Sequence, residues 1–180
     1  MNAMSNLILI GPMGAGKTTN GKWLARQLGK TFIDMDAYIE QKTGTGITHI
    51  FELEGEAGFR QREAAALAEI LANENQVIAT GGGSILLDAN RELMKRRGLV
   101  LYMHIPPEMQ LQRLLNDRKR PLLQTGDRAE RLQQLAAVRT PIYQSCADIK
   151  IDISRMPMSQ IRPHLLQTLL DHGMSNNHHA

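Results

Sequence analysis

The chain has 180 residues, a formal net charge of +3, 42% hydrophobic but only 4% aromatic residues, and one cysteine. That length suits one domain with a core of its own, and a lone cysteine, Cys146, excludes an intramolecular disulfide and fits a reducing compartment. The charge is too small to call for nucleic acid, no apolar run reaches membrane-spanning length, and the opening MNAMSN lacks the positive side chain of a secretory leader. We therefore expect a soluble, cytoplasmic protein that handles small polyanionic molecules, with no nucleic acid and no membrane among its partners; a monomer is the default expectation and not something that composition gives.

Leu7 to Ile10 form a short apolar run of the kind found in buried strands, and GPMGAGKT, Gly11 to Thr18, follows it at the spacing GxxxxGK[ST]. That pattern is a phosphate-binding loop. Glycines let several backbone N–H groups converge on one anion, and the helix that follows adds its positive dipole end. Gly14, Ala15, Gly16, Lys17, Thr18 and Thr19 are therefore candidate ATP contacts, with Lys17 as a point charge for the β/γ-phosphates and the Thr18 hydroxyl as a ligand for magnesium. The alternative, a glycine-rich turn that happens to precede a lysine, does not account for the strand before it and the helix after it.

Gly21, Leu24, Ala25 and Leu28 recur at helical spacing and Gly29 ends that helix. TFIDMDAYIEQ then reads as a short strand ending in two aspartates, and a period of two places Asp34 and Asp36 on the same side; a helix N-cap by one of them is the alternative. The next apolar strand, Val77 to Thr80, runs into Gly81, Gly82 and Gly83. Many phosphate-loop proteins place a magnesium-holding acid there, so Asp34 becomes the candidate for the magnesium water shell. The three glycines offer a backbone wall to a compact ligand, or else an ordinary turn.

Asp88 is a plausible N-cap for a helix ending at Lys95, Arg96 and Arg97, where Gly98 reads as a left-handed cap. LVLYMHI is a fourth strand, and Pro106 and Pro107 open a further helix. Residues 112–128, dense in Arg and Lys, suit a mobile lid over phosphates, with a solvated basic loop as the alternative. A helix carrying Arg139 is expected to break at Pro141, ADIKIDI is a fifth strand, and the last helix ends near Gly173. The reading is thus an α/β protein, a P-loop kinase fold with a central parallel sheet of about five strands, helices on both faces and a mobile lid. Residues 1–173 form one domain, and 174–180 form a polar, disordered tail.

With these residues in place, the chain resembles the shikimate kinase family over essentially its whole length. The motifs that carry the resemblance are GPMGAGKTT, FIDMDAYIE, GEAGFRQRE, TGGGSILL, KRPLL and RTPIY, in that order. The resemblance implies transfer of the γ-phosphoryl group of ATP to the 3-hydroxyl of shikimate, with Mg²⁺. It assigns Asp36 to the substrate hydroxyls and catalysis, Asp34 to the magnesium shell through water, and Arg60 and Arg139 to the substrate carboxylate. Gly82 touches substrate through its backbone, Arg120 reaches the ATP phosphates, and Arg113 flanks the adenine. KTT stands where KST is usual, which keeps the hydroxyl, and DISRMP replaces the usual adenine-side segment, so no role passes to Arg155 or Pro157.

Two other readings compete. Another small-metabolite kinase on this fold, such as a gluconate kinase, lacks a use for the paired arginines with DMD and GGG. A non-catalytic nucleotide-binding regulatory module is the other, yet none of the catalytic positions is missing. A GTPase switch is excluded by the absence of an NKxD run.

Overall fold

A computed structural model describes residues 6–115 and 127–175. Its five strands, β1 (Leu7–Ile10), β2 (Thr31–Asp34), β3 (Gln76–Ala79), β4 (Leu99–His104) and β5 (Ile149–Asp152), form one sheet in the order β2-β3-β1-β4-β5, and every pairing is parallel. The helices are α1 (Lys17–Leu28), α2 (Met35–Thr43), α3 (Ile47–Leu71), α4 (Asp88–Arg97), α5 (Pro107–Leu114), α6 (Arg128–Cys146) and α7 (Met158–Asp171).

β1 explains why its run is apolar throughout instead of alternating. Leu7 and Leu9 face a core layer shared with Leu24 and Leu28 of α1 and Leu165 and Leu169 of α7. Ile8 and Ile10 face the opposite layer, with Leu67 and Ile70 of α3, Met94 of α4 and Cys146 of α6. A strand covered on both faces has no solvent side to mark with polar residues. Because β3 and β4 flank β1, the chain reverses direction across the sheet at the carboxyl end of β1, where open α/β sheets bind ligands.

α3 is two helical pieces joined at Gly55, whose φ of 71° and ψ of −176° lie in a region open essentially to glycine. No atom crowds its missing Cβ, so the residue is required by conformation and not by space. Glu54 and Arg62 are bonded across the kink at 2.8 and 2.5 Å. Beneath it Ile39, Ile50, Phe59 and Ala66 make a satellite core that carries the second piece of α3 at a fixed attitude.

The structure corrects five expectations. Asp34 and Asp36 do not share a strand: β2 ends at Asp34, which caps α2, while Asp36 lies in its first turn. Asp88 does not cap α4 but begins it, Leu87 being the N-cap residue. Gly98 is extended, not left-handed; a Cβ there would stand 2.7 Å from the Asn6 carbonyl oxygen, so close strand approach requires the glycine. Pro141 does not break α6, which runs on to Cys146. Pro141 and Ala137, whose carbonyl loses its i+4 donor, are both exposed, so solvent can take that carbonyl and the helix continues. Finally, Met174 is 3% exposed and packs with Leu165 and Leu169, so the polar tail starts later than residue 174. Residues 176–180 lie outside the described residues, as do 116–126, which include Arg120 and most of the expected lid.

Candidate active site

The loop between β1 and α1 turns on Gly14 and Gly16, with φ of 78° and 87°, conformations that a side chain would strain. Ala15 tucks its methyl into the core under the loop, and its N–H is bonded to the Pro12 carbonyl at 3.3 Å. Lys17 starts α1 and lies back along the loop, its Nζ donating to the carbonyls of Gly11 at 2.6 Å and Pro12 at 3.0 Å. Thr19 and Thr18 are exposed on the first turn. Arg113, in the last turn of α5, donates through Nη1 to the Gly14 carbonyl at 2.7 Å, so it stands beside the loop.

Asp34 closes the far side of the loop. One carboxylate oxygen accepts from the Ala37 N–H at 3.1 Å as the cap of α2, and the other accepts from the Thr18 hydroxyl at 2.7 Å. Capping and facing the loop are therefore one geometry, not rival roles. Met13, Lys17, Thr18, Asp34, Asp36 and Gly82 line one open cleft, which continues past Thr80 and Gly81.

At its other end Gly81 and Gly83 give up the space of a side chain to charged groups, and Gly82 between them lies in contact range of a third. A Cβ on Gly81 would stand 2.7 Å from Glu63 Oε2 and 3.3 Å from Asp36 Oδ1. One on Gly82 would stand 3.4 Å from Arg139 Nη1, and one on Gly83 would fall inside the Arg60 guanidinium. Two arginines from α3 and α6, far apart in the chain, thus meet over consecutive glycines.

Each arginine is held from behind. Arg60 Nη1 donates to Glu63 at 2.7 Å and Nη2 to Glu56 at 3.3 Å, while Nε is buried without a partner. Glu63 is only 1% exposed and also accepts from the Ser84 hydroxyl at 3.1 Å. Burial pushes its carboxyl above the usual range, the Asp36 charge adds to that, and Arg60 and Ser84 oppose it. Arg139 is 6% exposed, and burial lowers its pKa, with the neighbouring Arg60 charge acting the same way. Two like charges at close quarters in a half-dry pocket are what an anion would relieve.

Sequence reasoning missed Glu63 and Tyr143. Glu63 stands three residues after Arg60 and Tyr143 four after Arg139, both on the same helical face as their partners. That spacing was a usable signal.

A parallel sheet with a GxxxxGK[ST] loop at the switch point, an acid bonded to the loop threonine, and an arginine pair packed over the glycines that border the same cleft define a P-loop kinase. The family model described as shikimate kinase matches residues 13–170. A shikimate kinase of Halorhodospira halophila is 51% identical over 82% of this chain and 84% of its own length; one of Nitrosococcus oceani is 46% identical over 91% and 86%. The solved structure of the Acinetobacter baumannii shikimate kinase in complex with shikimate superposes with a TM-score of 0.90 at 44% identity, covering 96% of both chains. The chain belongs to the shikimate kinase family.

Proposed function

We propose that the protein transfers the γ-phosphoryl group of ATP to the 3-hydroxyl of shikimate, giving shikimate 3-phosphate and ADP. The observation that carries the reading is that a buried arginine pair packs over Gly82 and Gly83, and Gly82 lines the cleft of the phosphate loop. Phosphate donor and carboxylate acceptor would then be held face to face, and positioning with charge neutralisation is most of what phosphoryl transfer asks of a protein.

In this reading the loop N–H groups and Lys17 take the ATP phosphates, joined by Arg120 and flanked by Arg113. Arg60 and Arg139 grip the carboxylate of shikimate, and the Gly82 backbone lies against it. Asp36 orients the 3-hydroxyl. As that oxygen bonds to the γ-phosphorus and the bond to the β-phosphate oxygen breaks, Asp36 accepts the hydroxyl proton. The Thr18 hydroxyl and, through water, the Asp34 carboxylate would hold Mg²⁺. Two hard oxygen donors fit an ion that usually takes one or two protein ligands with the substrate phosphates. When bound, that ion supplies charge neutralisation on the β- and γ-oxygens. Among the described residues no helix is long and apolar enough to cross a membrane, and we take the protein to act as a cytoplasmic monomer.

The test is ADP release from Mg-ATP with shikimate, gluconate or a nucleoside monophosphate as acceptor. Turnover is expected with shikimate alone. Equal turnover with gluconate would assign the cleft to a different small-metabolite kinase.

A further inference from the structure

Tyr143 is 2% exposed, and its ring is stacked on Tyr102 with centroids 5.0 Å apart and planes 25° apart. A phenol so deeply buried must satisfy its hydroxyl within the protein. It does so by donating to the Gly82 carbonyl, and the charge of the Arg139 guanidinium stands close enough to act on it.

The two groups that Tyr143 stands against are the ones read above as carboxylate contacts. Arg139 stands one helical turn before it on α6, and Gly82 belongs to the loop after β3, so no secondary-structure ladder sets their spacing. The hydroxyl and the guanidinium flank the same backbone position: a Cβ on Gly82 would touch both, 3.6 Å from the hydroxyl and 3.4 Å from Arg139 Nη1. The Gly82 carbonyl and the Gly83 N–H share one rigid peptide plane, so a bond to the carbonyl also fixes the backbone on which Arg60 rests. The continuity of α6 through Pro141 is what brings Tyr143 to this point.

We propose that Tyr143 is a positioning residue for the acceptor: it anchors the Gly82 peptide beside the Arg139 guanidinium and so sets the geometry in which the acid's carboxylate is received. The inference rests on the reading of the cleft given above. Tyr143 does not touch substrate and has no part in the chemistry at phosphorus.

Tyr143→Phe keeps the ring and its stacking on Tyr102 and removes only the hydroxyl. Loss of one buried hydrogen bond corresponds to about a three- to tenfold weakening, so KM for shikimate and its calorimetric Kd should rise by that factor. The kcat at saturating shikimate and the KM for ATP should stay within about twofold of the parent. A second arm combines Tyr143→Phe with Arg139→Lys; the pair should cost less than the product of the single losses, because both remove one shared arrangement. An unchanged shikimate KM in Tyr143→Phe, equal losses for shikimate and ATP, or full multiplication of the two single effects would each overturn the proposal. Should Tyr143→Phe not fold, fluorotyrosine placed at position 143 keeps the hydroxyl and changes its acidity. The shikimate Kd should then move while the ADP Kd does not, and no movement counts against the anchor. A parent protein without shikimate-dependent turnover would instead sink the reading of the cleft, whatever Tyr143 does.

Discussion

The two ends of the cleft are built in opposite ways. The phosphate end is eight consecutive residues, Gly11 to Thr18, whose working groups are mostly backbone and whose glycines adopt left-handed conformations. The acceptor end, as proposed above, is assembled from α2, α3, α6 and the loop after β3, its working groups are charged side chains, and two of its glycines, Gly81 and Gly83, leave room for them. A backbone cradle carries its own directionality and needs no supporting cast. A pair of guanidiniums must be aimed, so each stands against a second group: Glu63 behind Arg60, Tyr143 behind Arg139.

The division of labour can be broken hardest at Lys17. Lys17→Met should lower turnover by about 10²–10³ or more, the scale for losing one preorganised charge partner of a transition state. Calorimetric binding of shikimate should stay at the parent value, because Lys17 stands with the loop carbonyls and not with the arginines. Loss of shikimate binding in that variant would mean the two ends are not separable. Asp36→Asn should do what neither end does alone, since Asp36 lines the cleft and also stands beside Glu63. Both kcat and shikimate affinity should fall, and parent-like shikimate binding would remove Asp36 from the acceptor end.

The acceptor end alone is tested by Arg139→Lys. A hydrogen bond to a charged group contributes about 1.5–3 kcal/mol, so shikimate affinity should drop on the order of tenfold to a hundredfold while ATP affinity holds. Lysine keeps a charge but not the paired donors of a guanidinium, and burial that only lowers the pKa of an arginine threatens the proton of a lysine. A shikimate analogue with a neutral group in place of the carboxylate should bind the parent poorly and lose little more in the variant. Equal losses for acid and neutral analogue would put Arg139 to structural use.

How legible each end was in the sequence follows from the same contrast. The phosphate loop is contiguous, so spacing alone exposed it, and the apolar run before it declared a strand buried on both faces. Arg60 and Arg139 are ordinary helical arginines until the fold brings them over Gly82 and Gly83, and only the family resemblance named them in advance. The role of Gly81 and Gly83 as room for Glu63 and Arg60 depends on three-dimensional neighbours and left no pattern in one dimension. Pro141 misled because proline's cost to a helix is local, whereas the exposure that spares the helix is a tertiary fact.

The smallest expected effect lies behind both ends, at the carboxyl end of β4. His104 Nδ1 is 2.7 Å from the Tyr102 hydroxyl, and the Tyr102 ring is stacked on Tyr143, one helical turn after Arg139. Burial lowers the pKa of His104 below its usual 6.5 and the Lys150 charge adds to this, while Asp152 opposes it. A histidine with a depressed pKa binds its proton less well folded than unfolded. Its contribution to stability is therefore complete above about pH 6.5 and is lost as pH falls through the lower folded value. His104→Asn leaves an acceptor for Tyr102 and removes the titration. Thermal unfolding followed from pH 8 to pH 5 should show a shallower fall for the variant than for the parent below pH 6.5, with shikimate and ATP affinities at pH 8 unchanged. Parallel curves would mean that His104 titrates alike in both states, and a drop in shikimate affinity at pH 8 would extend the acceptor end through Tyr102 to β4.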